Sequence, residues 1–166
     1  MKLSHVLFGA LAVVVMAALP AQADPVADRV KELLPWVAKK TGYSMEHVAP
    51  RVLYKTIEEI AYIDPTYQKN SIEVDAMTID NIIILLDTFT LGKNDKTIVH
   101  ELVHVLQNAN GHVVGERPGD FRCLGEAERE AYLTADAWVE ETGIGEKTNK
   151  TVLFFMTRCP SRIGPL

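Results

Sequence analysis

The sequence predicts a small single-domain α+β fold in which helices dominate and a short antiparallel sheet lies beside the central helix. A length of 166 residues suits one domain, and 48% hydrophobic with 23% charged residues is an ordinary globular composition. Segments with helical periodicity also outnumber the short β-branched segments. No internal repeat or low-complexity linker divides the chain, so we expect one folded unit.

Helical spacing of apolar residues, with a glycine after each long segment, predicts four helices. They cover residues 26–40, 57–63, 96–110 and 125–142. Asp95 follows a turn and is expected to cap the third helix, and Gly143 marks the end of the fourth.

Three short segments rich in β-branched residues predict strands. They are residues 52–54, 72–79 and 82–86. The second alternates apolar and polar residues and the third is continuously apolar, so we expect these two to form an antiparallel pair. Residues 148–157 fit a helix or a strand equally well.

The charge distribution argues against nucleic acid as a partner. The chain has 17 Lys and Arg residues against 22 Asp and Glu residues, a formal net charge of -5. Nucleic-acid binding calls for a basic patch or stripe, and no basic block occurs here.

The first 23 residues have the pattern of a secretory signal peptide. Lys2 gives a positive start, residues 6–19 are apolar and uncharged, and Ala21 and Ala23 are small residues at the positions that a signal peptidase reads. About 14 apolar residues are too few to span a hydrocarbon core of roughly 30 Å. We therefore expect cleavage after Ala23, no membrane span afterwards, and an exported domain, periplasmic or secreted, over residues 24–166.

Export would place the two cysteines, Cys123 and Cys159, in an oxidising compartment, where a disulfide is expected. Closing a loop of this length stabilises a protein by roughly 3 to 4 kcal/mol. The bond would hold the C-terminal segment beside the loop that precedes the glutamate-rich helix. Neither cysteine belongs to a C-x-x-C pair, which argues against thiolate metal ligands.

The third predicted helix contains His100-Glu101-Leu102-Val103-His104. At 3.6 residues per turn the two histidines project from one face, one turn apart, so both imidazoles can bind one cation. Glu101 lies about 100° round the helix from His100, where it can reach a metal-bound water without ligating. The flanking residues are apolar, which predicts a buried helix whose polar side chains need partners. A metal site would supply them.

A catalytic zinc site needs a third protein ligand. An extended H-E-x-x-H-x-x-G-x-x-H motif would need glycine at position 107 and histidine at 110, where the chain has Gln107 and Asn110. His112 is a candidate if its loop folds back. The remaining candidates are three glutamates of the later helix: Glu126, Glu128 and Glu130.

Helical geometry favours Glu128 among the three. It shares its face with Ala131, Tyr132, Ala135 and Val139, the stripe that points into the core. An uncompensated carboxylate there would cost several kcal/mol, so it needs a cation. We predict Glu128 as the third ligand, with Glu126, Glu130 and His112 as the alternatives.

Residues 95–139 resemble the zincin metallopeptidases of the gluzincin type, in which an H-E-x-x-H helix and a glutamate from a later helix hold zinc. The resemblance implies a zincin-like fold, Zn²⁺ bound by His100, His104 and Glu128, and Glu101 as the general base. Tyr132 stands where many relatives have Asp or Asn, so the usual support of a ligand histidine differs here. The chain is also similar to small exported bacterial zincin-like proteins whose substrates are not established.

These features predict an exported zinc-dependent peptidase or amide hydrolase that acts on a peptide or protein substrate. Zinc would activate a water whose proton Glu101 takes, and the substrate would lie along the exposed edge of the strand pair. Candidates for an additional donor are Tyr132, His112, Arg117 and Arg122. The alternatives are a non-catalytic zinc-binding protein and a metal-free exported interaction domain.

Overall fold

The computed structural model describes residues 24–63, 75–92, 94–112, 121 and 123–159. Its elements are α1 (Pro25–Thr41), β1 (Arg51–Lys55), α2 (Ile57–Ile63), β2 (Ala76–Ile79), β3 (Ile82–Leu86), α3 (Asp95–Ala109), α4 (Leu124–Thr142) and α5 (Lys150–Met156). The predicted small, helix-rich α+β domain is confirmed. Within the described ranges, no helix has the length and apolar character needed to cross a membrane. The predicted signal peptide, Arg117 and Arg122 lie outside these ranges.

The first helix extends one residue beyond each end of its predicted span and stops at the predicted glycine. The Asp24 carboxylate accepts hydrogen bonds from the backbone amides of Val26 and Ala27 at 2.9 and 3.3 Å, and Pro25 occupies the first turn, where its missing N–H costs nothing. Gly42 ends the helix in the left-handed conformation, with φ of 80°. The buried face of α1 then packs on α3.

The sheet has the order β1-β3-β2, with β3 in the centre. β2 and β3 pair antiparallel with Ala76 opposite Leu85, which confirms the predicted pair, although residues 72–74 of the predicted strand lie outside the described ranges. β1 pairs parallel to β3, so the sheet is mixed rather than purely antiparallel. The long connection between β1 and β3, which includes α2 and β2, is what a parallel arrangement requires.

α3 is the central element of the core and contacts α1, α4, β2 and β3. Its apolar side chains are fully buried, as the apolar residues around the histidines predict: Ile98, Val99, Leu102, Val103, Val105 and Leu106. α3 begins and ends one residue earlier than predicted, whereas α4 begins one residue earlier and ends at Thr142 as predicted.

The predicted capping role of Asp95 is wrong. Asp95 is the first residue of α3, and the preceding Asn94 makes no side-chain cap bond. The buried Asp95 carboxylate instead accepts hydrogen bonds from the Arg29 guanidinium at 2.8 Å and from the Gly92 amide at 3.0 Å. A charge-assisted bond between helices replaces the local cap because Arg29 of α1 faces this turn.

Cys123 and Cys159 form the predicted disulfide, with a Cα–Cα distance of 5.6 Å. The segment that fitted helix or strand is helical: Asn149 caps α5 by accepting from the Thr151 amide at 2.8 Å. α5 packs on α4. The disulfide therefore holds the C-terminal helix against the start of the helix that carries Glu128.

Candidate metal centre

The three predicted ligands come together between α3 and α4. The Nε2 atoms of His100 and His104 lie 3.1 Å apart. Glu128 places Oε2 at 3.3 Å from the His100 Nε2 and Oε1 at 3.4 Å from the His104 Nε2. Among the described residues, these three are the group of potential ligands whose donor atoms could share one ion.

The spacing of these donor atoms fits a zinc ion. Four donors placed tetrahedrally at about 2.0–2.1 Å from zinc lie about 3.3 Å from one another. The two Nε2 atoms lie 3.1 Å apart, and the Glu128 carboxylate presents one oxygen to each ring, at 3.3 Å from the His100 Nε2 and 3.4 Å from the His104 Nε2. Two imidazole nitrogens and one carboxylate oxygen are also a ligand set that leaves a fourth position in catalytic zinc sites. The residues present therefore fit the ion that their sequence pattern predicts.

Gln107 determines which nitrogen of His104 faces the cluster. The Gln107 amide nitrogen donates to the Ala127 carbonyl at 3.1 Å and to the Glu130 carboxylate at 2.9 Å, and both partners can only accept. The amide oxygen must therefore be the atom that lies 2.9 Å from the His104 Nδ1. His104 thus carries a proton on Nδ1, and Nε2 is the ring nitrogen that faces the cluster.

This hydrogen-bond chain continues away from the cluster. Glu130 also accepts a hydrogen bond of 2.7 Å from the Tyr43 hydroxyl. Burial and this contact with Glu130 raise the pKa of Tyr43, so its hydroxyl stays a donor. Hydrogen bonds through residues 43, 130 and 107 therefore connect the segment after α1 to the candidate ligand His104 of α3.

The charges of the site favour a cation. Burial alone would lower the pKa of His104, but the hydrogen bond with Glu128 and the charges of Glu101 and Glu128 raise it to about 9. Burial alone would raise the pKa of Glu128, but its hydrogen bonds with His100 and His104 hold that pKa well below its ordinary value. Glu128 is therefore ionised, which is the form that binds a metal.

Glu101 lies beside the cluster without joining the ligand group, as its place in the motif predicts. It is only 5% exposed, and its charge acts on both His104 and Tyr132. The Thr78 hydroxyl of β2 donates to Glu101 Oε2 at 2.7 Å. The sheet thus holds one carboxylate oxygen of Glu101 in place.

Tyr132 contributes a ring to the same site. Its centroid lies 4.5 Å from that of His100, with the planes 64° apart, an edge-to-face arrangement. Burial raises the pKa of Tyr132, and the charges of Glu128 and Glu101 raise it further. The hydroxyl therefore remains protonated. Tyr132 therefore packs its ring on the candidate ligand His100.

The alternative ligands lie elsewhere. The His112 ring packs near the rings of Tyr43 and Phe121, at centroid distances of 4.9 and 6.1 Å. Glu130 is engaged by Gln107 and Tyr43. Together with Glu126 it lines a separate open cavity of about 460 Å³ at α4.

Two functional residues were missed by the sequence analysis. Gln107 follows His104 by three positions, so helical geometry places it on the same face, and a polar side chain in an apolar helix signals a bonded role. That signal was available. Thr78 had no such signal, because its contact with Glu101 depends on how β2 packs against α3.

The fold and the site define a class of protein: a small α+β domain with a cluster of two histidines and one glutamate on adjacent helices. The chain belongs to the family described as Domain of unknown function (DUF6647), whose model matches residues 22–165. No curated protein and no solved structure matches it. The family description assigns no activity, so the likeness to gluzincins stays a prediction drawn from the motifs.

Proposed function

We propose that this protein is an exported zinc-dependent hydrolase of peptide or related amide bonds. One observation carries the proposal: the Nε2 atoms of His100 and His104 lie 3.1 Å apart and each lies within 3.4 Å of a carboxylate oxygen of Glu128, while the buried Glu101 lies beside this cluster and outside the ligand group. A site that only stores metal has no need of that fourth side chain. Export is proposed from the signal-peptide pattern of residues 1–23.

His100, His104 and Glu128 would hold the ion, and Gln107 would keep the His104 ring in the ligating tautomer. Bound zinc supplies a Lewis acid and makes a water acidic near neutral pH. Glu101 would accept a proton from the water whose oxygen attacks the amide carbon, and would then deliver it to the amine nitrogen as the C–N bond breaks. The Thr78 hydroxyl donates to Oε2 of Glu101 and would hold the carboxylate in place for this transfer.

Tyr132 and β2 would contact the substrate. The protonated Tyr132 hydroxyl is a donor for the oxygen on which charge develops. β2 is an edge of the sheet and its Thr78 contacts the proposed base, so a peptide that adds a strand along β2 would pass beside Glu101.

The test is Glu101→Gln in the zinc-loaded protein, assayed against a diverse peptide library with a chelator-treated sample for comparison. We expect zinc to remain bound at one equivalent while hydrolysis falls by about 10² to 10⁴-fold, the contribution of a general base. Glu140→Gln is the matched control, because Glu140 is exposed on α4 and pairs with Lys147. Unchanged hydrolysis in Glu101→Gln would leave a non-catalytic zinc-binding protein as the better description.

A second variant separates the metal from the chemistry. Glu128→Ala removes one of the three ligands, so zinc affinity should fall by more than the roughly 100-fold expected when only a supporting residue is lost. If neither the parent protein nor this variant contains stoichiometric zinc, the protein is better described as a metal-free interaction domain.

A further inference from the structure

An apolar surface is exposed on α5 and at the start of α4. Its members are large hydrophobic side chains: Leu124, Val152, Phe154 and Phe155. Phe154 is 55% exposed and Phe155 is 70% exposed, and the two rings contact each other edge to face at 5.3 Å between centroids. We call these four residues the α5 surface. The contacting rings of Phe154 and Phe155 are the centre of this surface, and exposed large apolar groups of this kind mark candidate interaction sites.

The α5 surface is held to the rest of the domain at two points. The Cys123–Cys159 disulfide joins the segment after α5 to the residue before α4. Gly125 packs so closely on Thr157 that an added Cβ would lie 2.8 Å from the Thr157 carbonyl carbon. Leu124 lies between these two attachments. The exposed rings are therefore presented on a braced helix.

The segment that forms α5 is basic, whereas the whole chain is acidic. Residues 147–159 contain the basic residues Lys147, Lys150 and Arg158 and no acidic residue, in a chain of net charge -5. Lys147 pairs with Glu140 at 3.2 Å, so the excess positive charge comes from Lys150 and Arg158. The Arg158 guanidinium lies 5.3 Å from the centroid of Phe154. Positive charge and exposed aromatic rings thus share one surface.

We propose that the α5 surface docks the domain on a membrane that carries anionic phospholipids. Aromatic and aliphatic side chains enter the headgroup region, and neighbouring Lys and Arg residues bind the negative surface. A bilayer needs no complementary groove, so a short convex helix is sufficient to engage it. Leu124 precedes Glu128 by one helical turn on α4, so docking brings the candidate metal centre close to the membrane. The inference holds whether or not the site hydrolyses amides.

The test is vesicle sedimentation of the chain that begins at Asp24, which contains every residue the structure describes. Vesicles of phosphatidylcholine are compared with vesicles of phosphatidylcholine and phosphatidylglycerol in equal parts. We expect binding to the anionic vesicles alone, weakened by added salt. Phe154→Ser and Phe155→Ser should each reduce binding by about tenfold, and Lys150→Glu by more than about fivefold.

Two exposed residues on other helices provide matched controls. Tyr62 of α2 is 89% exposed, so Tyr62→Ser removes a comparable aromatic ring from a different surface. Lys39 of α1 is an exposed lysine, so Lys39→Glu makes the same charge change as Lys150→Glu. Both should bind anionic vesicles as the parent chain does. Unfolding midpoints of all variants verify that the fold is kept.

Three results would overturn the proposal. The first is no binding to anionic vesicles, and the second is binding that Phe154→Ser, Phe155→Ser and Lys150→Glu leave unchanged. The third is loss of binding in the control variants to the same degree. Binding to polyglutamate, but not to vesicles, through the same residues would replace the lipid surface with an acidic protein partner.

Discussion

Replacing Gln107 by methionine isolates the residue that orients His104. Methionine has a similar length, but its thioether is a weak acceptor and cannot donate. The His104 Nδ1 would lose its acceptor at 2.9 Å, so neither the tautomer nor the ring orientation would be held. Loss of such a supporting bond typically weakens metal binding by about 10 to 100-fold, or about 1.4 to 2.7 kcal/mol.

The same change also affects folding, and the structure indicates by how much. The Ala127 carbonyl and Glu130 lose the donor that Gln107 supplied, while Glu130 keeps its 2.7 Å bond from Tyr43. The His104 Nδ1–H loses its acceptor, and a buried polar group without a partner costs about 1 to 3 kcal/mol. We expect a loss of that size in the free energy of unfolding.

Competition with a chromophoric chelator measures the zinc dissociation constant, and urea unfolding measures stability. Asn108→Met is the first control, because Asn108 is exposed on the same helix and bonds the Asp80 carbonyl. Tyr43→Phe is the second, because it removes a bond to Glu130 and leaves the contact between Gln107 and His104. Both controls should keep the zinc affinity of the parent protein. An unchanged affinity in Gln107→Met would refute the orienting role.

Three further predictions concern stability. Reduction of the Cys123–Cys159 disulfide, which closes a loop with a separation of 36 residues, should lower the free energy of unfolding by about 3 to 4 kcal/mol, measured in urea with and without a reductant. Gly125→Ala should destabilise the domain by about 1 to 3 kcal/mol, despite a helix propensity that favours alanine by about 1 kcal/mol, because the new Cβ would meet Thr157 backbone; a higher unfolding midpoint would contradict this. The pKa of Asp136 is lowered by Lys96 and Thr148 even though burial acts to raise it. The stability that Asp136 contributes is therefore present above about pH 4, the ordinary value, and is lost as the pH falls through the lowered pKa. Urea unfolding from pH 7 to 3 measures the free energy of unfolding of the parent protein and of Asp136→Asn. The difference between the two free energies should shrink at acid pH, and a difference that stays constant would count against the ion pair.

Local patterns predicted much of the fold because they reflect contacts that are close in sequence. α1 and α4 have apolar residues at helical spacing and a glycine at the C-terminal end, and both features are local. The parallel pairing of β1 with β3 depends on a long connection, which short segments do not encode. The role of Asp95 was likewise decided by Arg29, which is 66 positions away.

The candidate ligands were predictable for a similar reason. His100 and His104 share a helix face by spacing alone, and Glu128 faces the core stripe of its own helix. What spacing does not provide is the distance between the two helices, and the structure brings those donor atoms to within 3.4 Å. The contact of Thr78 with Glu101 has no counterpart in the sequence pattern, because it joins a strand to a helix.

Zinc K-edge absorption spectroscopy of the purified protein, with metal content measured on the same sample, tests the central claim most directly. The account predicts one zinc per chain with two imidazole nitrogens at about 2.0–2.1 Å and oxygen in the remaining positions. In His104→Ala the imidazole contribution should fall to one ring. Absence of stoichiometric zinc from the parent protein, or a spectrum without two imidazoles, would contradict the account.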